Sequence, residues 1–152
     1  MKKLFNLLML SLILAGCDAI TGKEVGRLPI NQVSTEENLV SKEVTLDLKK
    51  GDEVAVWSDM DIEYEGEVDL RFRIELWENG EKQLSAEVDP TQKNITMGEI
   101  RTTINDKTEW SFFGKNTEIK IEDDGKYTIK AALVASENPT LKVTKAEMVL
   151  KK

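Results

Sequence analysis

From position 42 onward the chain places apolar side chains at every second position. Val44, Leu46 and Leu48 alternate with Glu43, Thr45 and Asp47, and Leu70, Phe72, Ile74 and Leu76 alternate with Arg71, Arg73, Glu75 and Trp77. Val54 with Val56, Leu84 with Ala86 and Val88, Ile119 with Ile121, Tyr127 through Leu133, and Leu141 through Leu150 extend the pattern. A period of two sets one face of a strand on a core and the other in water, and it offers no helical stripe. Turn residues fall between the runs: Lys49-Lys50-Gly51-Asp52, Asn79-Gly80, Asp89-Pro90, Asp124-Gly125 and Asn138-Pro139. About seven to nine short strands so punctuated predict an all-β fold, an antiparallel β-sandwich of jelly-roll or immunoglobulin-like connectivity, over residues 42–152.

The start of the chain obeys other rules. Lys2 and Lys3 precede an apolar run from Leu4 to Ala15 that is interrupted only by Asn6 and Ser11. A basic start and a short apolar core have the form of an export signal. The run is shorter than the roughly 20 residues a helix needs to cross a bilayer core. It ends in Leu14-Ala15-Gly16-Cys17, which resembles the lipobox of bacterial membrane lipoproteins. The resemblance covers about the first 17 residues. It implies that residues 1–16 are a lipoprotein signal peptide and that the Cys17 thiol receives diacylglycerol. Its amine, freed by cleavage, is often acylated with a fatty acid such as palmitate. Two or three acyl chains hold a protein to a membrane where one does not. Asp18 follows; in enteric bacteria an aspartate there resembles an inner-membrane retention signal, and elsewhere the rule differs, so inner and outer membrane both stay open.

Cys17 is the one cysteine, so a lipidated, exported domain would have no disulfide and would stand on its core alone. Residues 17–41 are polar and aperiodic and read as a lipidated N-terminus with a flexible tether, whose reach is on the order of 25 to 30 Å. The alternative is that Val25 to Ile30 adds an edge strand. Of the 21 Lys and Arg residues, Lys2 and Lys3 lie in the signal, which leaves 19 against 28 acidic side chains. That balance excludes the clustered basic surface that nucleic acid requires.

Within the repeat, Val54 to Trp77 is too long for one ordinary strand, and a bend near Glu65-Gly66-Glu67 would fold it into a hairpin. A loop centred on Gly66 pairs Asp61 with Arg71 and Asp59 with Arg73, which is better than the like-charge contact of Asp61 with Asp69 that a loop on Glu65 would make. At Asn79-Gly80, a three-residue loop pairing Ile74 with Leu84 buries one consistent face, whereas a two-residue loop pairs Glu75 with Leu84 and does not. Glu122-Asp123-Asp124-Gly125-Lys126-Tyr127 resembles the segment that places a corner tyrosine in Greek-key sandwiches. There the ring sits in the core and the hydroxyl bonds back to nearby backbone.

Three features carry candidate chemistry. Asp59, Asp61, Glu63 and Glu65 form an acidic row that would suit calcium, which takes several carboxylate oxygens; the alternative is a solvated face paired to Arg71 and Arg73. Trp57 and Trp77, on the polar face by parity and flanked by Arg71 and Arg73, would stack on a sugar or a partner's surface unless another segment covers them. Trp110-Ser111-Phe112-Phe113 reads as core packing. The chain has no histidine, which excludes Ser-His and Cys-His catalysis. Gly114-Lys115-Asn116-Thr117 lacks the upstream glycine of a phosphate loop. Carboxylate pairs of the glycosidase kind are too common here to signal a cleft. The expectation is a non-enzymatic, lipid-anchored module of the cell envelope, outside the cytoplasm, that presents a sandwich surface to an envelope protein or glycan. A calcium- or small-ligand-binding module is the alternative.

Overall fold

A computed structural model describes residues 20–152. Cys17, with the expected lipobox and signal peptide, lies outside the described residues. Nine antiparallel strands follow in order: β1 (Glu24–Pro29), β2 (Ser41–Leu48), β3 (Glu53–Glu65), β4 (Leu70–Glu78), β5 (Glu81–Val88), β6 (Ile95–Ile104), β7 (Lys107–Lys120), β8 (Gly125–Ala135) and β9 (Lys142–Lys151). They form a five-stranded sheet in the order β1-β9-β3-β7-β6 and a four-stranded sheet in the order β2-β8-β4-β5.

The pairings are nested. β4 pairs with β5, β3 with β7, β2 with β8 and β1 with β9, and these pairs fall alternately in the four- and the five-stranded sheet. This is one long hairpin rolled up on itself, and the additional pairings β3–β9 and β4–β8 seal each sheet. Eight of the strands therefore have jelly-roll connectivity. β6 stands outside the nest as an extra strand on the β7 edge.

The inner faces are those the alternation marks. Val54, Val56, Met60 and Ile62 of β3 meet Phe72 and Ile74 of β4, Ile129 and Leu133 of β8, and Met148 and Leu150 of β9 in one core. Leu28 and Ile30, in and beside β1, belong to it as well. Residues 24–29 are thus an edge strand, and the tether expected through residue 41 does not extend across them. Two apolar anchors outweigh the turn-like composition around Gly26. The strand is tied at its start, where Lys23 and Lys152 exchange backbone hydrogen bonds of 2.9 Å in each direction.

Two expected registers are corrected. The chain does bend at Gly66 (φ +71°), but the bend carries it from one sheet to the other, so β3 and β4 never pair. At Asn79-Gly80 the turn has two residues, both with positive φ (48° and 89°), as a type I′ hairpin requires. A bulge beside Leu76 then restores parity, so that Leu76 faces Leu84 and Ile74 faces Ala86. The extra residue expected in the loop thus sits inside β5, at Gln83.

The corner tyrosine is in place. Tyr127 is buried at the passage from β7 to β8, and its hydroxyl donates to the Asp123 carbonyl at 2.9 Å, with Glu78 Oε1 at 3.1 Å as a second acceptor. Burial first, and then the Glu78 carboxylate, push the phenol's pKa above its ordinary value. Tyr127→Phe keeps the ring and strands the carbonyl, so a loss of about 1 kcal/mol of stability is expected from chemical denaturation.

Candidate functional site

The outer face of the five-stranded sheet collects the acidic row, and β3 presents Asp59, Asp61 and Glu63 there at alternate positions. Asp59 accepts from Lys145 at 2.6 Å and from Arg27 at 3.2 Å. Arg27 also bridges Glu24 at 2.8 Å and contacts Glu147. These carboxylates, Glu24 foremost, raise the guanidinium pKa further. Glu63 lies between Lys142 at 2.8 Å and Lys107 at 3.0 Å, and the two ammonium groups, Lys142 first, lower its pKa. Glu65 ends the strand, where its backbone N–H donates to Thr140 Oγ1 and its carbonyl accepts from Asn138. Among the described residues, no three acidic, histidine or cysteine side chains converge as a metal cage would. Asp59 and Glu63 are paired across the sheet with Arg27, Lys107, Lys142 and Lys145 rather than with Arg71 and Arg73.

Those two arginines sit on the other sheet. Arg71 contacts Asp69 and reaches Asp89 at 3.3 Å, and Arg73 pairs with Glu87 at 2.9 Å. Arg73 also lines a cavity of about 710 Å³ beneath residues 33–39, together with Val33, Leu39 and Leu141.

The two tryptophans do not form one platform, because β3 and β4 lie in different sheets. Trp57 is only 1% exposed; it stacks on Phe113 at 5.1 Å with an interplanar angle of 22°, and the Lys151 ammonium stands 5.2 Å from its ring. Its indole N–H is the one buried side-chain donor without an acceptor among the described residues. Trp77, half-buried on the four-stranded sheet, donates from Nε1 to Glu75 at 2.9 Å and lies under Lys130 and Lys82. The Trp110 cluster is divided by alternation. Phe112 enters the core, Phe113 joins Trp57 on the outer face, and Trp110 is half-buried against β6, held by Glu99 at 2.7 Å and covered by Arg101 and Lys93.

Two features gave no sequence signal. Asn116 is the extra residue of a bulge in β7, and this re-aims its side chain. Its oxygen accepts from Ser58 at 2.6 Å, and its amide faces the carbonyls of Asp89, Pro90 and Gln92, which pins the crossing from β5 to β6. Gly114 lets that crossing pass close by, since a Cβ there would lie 2.5 Å from the Lys93 side chain and 2.7 Å from the Ile95 carbonyl. The stretch that superficially matched a phosphate loop is therefore a structural clamp. The second feature is β6 itself, exposed along its whole length, with Ile95, Met97, Ile100 and Ile104 all in water. Beside it, the small residues Gly98 and Ser111 leave a shallow concavity of about 360 Å³ between Ile100, Asp59, Asp61 and Lys145.

The chain matches no protein-family model, and no curated protein matches it in sequence.

Cross-strand lysines lower the pKa values of Glu63 and Glu75, and the hydrogen bond from the Trp110 indole, followed by Lys93, lowers that of Glu99. Their contribution is present above the unfolded-state value and is lost as pH falls through the lower folded-state value. With no histidine, the thermal midpoint should be flat between about pH 6 and 8 and fall below about pH 4.3, where carboxylates protonate. Because Asp59 and Glu63 already have cationic partners, millimolar calcium or a chelator should leave the midpoint unchanged. A rise with calcium would restore the metal reading.

Proposed function

We infer that this chain is a lipid-anchored, non-enzymatic module of the cell envelope that presents the surface of a jelly roll to another protein. The observation that carries this reading is how close the folded domain begins to the lipidation motif. β1 starts at Glu24, seven positions after Cys17, and its start is fastened to Lys152. A lipid on Cys17 would hold the β1–β9 end of the sandwich near the headgroups, with a reach of about 20 Å over residues 18–23. The 13 residues of β3 cover about 40 Å, which brings the Gly66, Asn105 and Asn138 turns to the far end. Lipid supplies residence, the rigid sandwich supplies the surface, and confinement to a plane raises the effective concentration of weak contacts.

A protein partner is favoured over a glycan by the kind of surface on offer. Trp57 is buried and Trp77 is flanked by lysines, so the aromatic pair that would stack on sugars is not presented, whereas β6 exposes aliphatic side chains.

The anchor is tested by Cys17→Ser in the full chain, expressed in a bacterium that makes lipoproteins. The unsubstituted chain should fractionate with membranes and carry diacylglycerol at residue 17 by mass spectrometry. The variant should leave the membrane fraction with its thermal midpoint unchanged. A free thiol at Cys17 with residues 1–16 still attached would overturn the reading.

A further inference from the structure

β6 buries nothing in the core. All ten of its residues are exposed, and among the described residues it pairs with β7 alone. Its most exposed apolar side chains, Ile100 at 73% and Ile104 at 67%, share the outer face of the sheet, while Glu99 and Arg101 lie on the inner side. Asn105 and Asp106 have positive φ (49° and 68°), which makes a two-residue type I′ turn and makes Ile104 with Lys107 the hydrogen-bonded closing pair. Counting back by twos, the backbone N–H and C=O groups of Thr103, Arg101 and Glu99 point away from β7, toward a free edge. A bulge at Met97 interrupts the ladder above Gly98, so the regular free edge runs from Gly98 to Ile104.

Charged side chains on an edge strand usually deter a neighbouring strand. Here their order makes one exception. Glu99 and Arg101 flank Ile100 symmetrically. An antiparallel copy of the same strand, centred on Ile100, sets Glu99 opposite the partner's Arg101 and Arg101 opposite the partner's Glu99. Ile100 then meets the partner's Ile100, and Gly98 meets the partner's Thr102. A strand of another sequence would have to supply both charges in reverse order, or leave each one beside an unmatched neighbour.

We propose that β6 pairs antiparallel with β6 of a second copy of this chain, on a two-fold axis through Ile100, joining two five-stranded sheets into one continuous sheet of ten. The interface is isologous and therefore closes at a dimer. This proposal stands apart from lipid anchoring, because the pairing forms whether or not Cys17 carries lipid.

Ile100→Cys in the full chain tests it. Opposite residues of a non-hydrogen-bonded antiparallel pair have Cα atoms about 4.5 Å apart, within disulfide range. Two copies of position 104 would be eight residues apart in register, about 27 Å. Under mild oxidation, Ile100→Cys should give a disulfide-linked dimer on a non-reducing gel. Ile104→Cys, almost equally exposed, should stay at the level of the unsubstituted chain, which also accounts for any product through Cys17. Glu99→Arg in the Ile100→Cys background sets like charges opposite each other and should reduce the dimer at least tenfold. Adding Arg101→Glu should restore it. Equal cross-linking at positions 100 and 104, no dimer at either, or failure of the charge-swapped pair to restore it would each overturn the proposal. So would a mixed disulfide at position 100 with a different protein, which would assign the edge to a foreign strand.

Discussion

The structure depends on burying two sheet faces against each other without a covalent staple. Each fully buried aliphatic side chain contributes about 1.5 to 3 kcal/mol, and the described residues hold no cysteine to supplement that. Nested pairing makes the burial cooperative. β3 lies between β9 and β7, β8 lies between β2 and β4, and every pair outside the β4–β5 and β6–β7 hairpins joins segments distant in sequence. Only when the long hairpin has rolled do Val54, Val56 and Ile62 find Phe72, Ile129 and Leu133. The roll is therefore mostly non-local, and its cost in chain entropy is met late.

The sheet class, most strands and the corner tyrosine were legible because each rests on local information: a side-chain period, a turn dipeptide, a short segment. What was lost is informative. β1 stood only as the alternative to a tether, because its anchors, Leu28 and Ile30, follow Gly26 and adjoin Pro29. β6 was hidden because Ile95, Met97, Ile100 and Ile104 fall out of step once Met97 bulges. The bulges beside Leu76, at Asn116 and at Met97 each add a residue to one strand, and parity counted along a sequence has no means of registering them. The distinction between hairpin and inter-sheet crossing at Gly66 was equally invisible, since both use a glycine with positive φ.

The site followed the same logic. The acidic row was correctly placed on one face, but its partners come from β1, β7 and β9 rather than from the next segment in sequence. Once β3 and β4 separate into different sheets, the arginines leave the acids and the two indoles part. An outer face of interdigitated carboxylates and ammonium groups is mostly self-satisfied. Among the described residues, the β6 rim is where backbone groups and aliphatic side chains lack such partners.

The tie between Lys23 and Lys152 has a mechanical meaning. If the molecule is held at its N-terminus and loaded at the Gly66 end, the pull runs along the strand axes, and the β1–β9 ladder is strained in shear, with its hydrogen bonds sharing the load. Were the chain instead pulled apart between its N-terminal side and Lys152, which lie side by side, the two strands would peel from one end, bond by bond. The two points between which this jelly roll is pulled thus decide whether its outermost seam resists like a lap joint or opens like a zip.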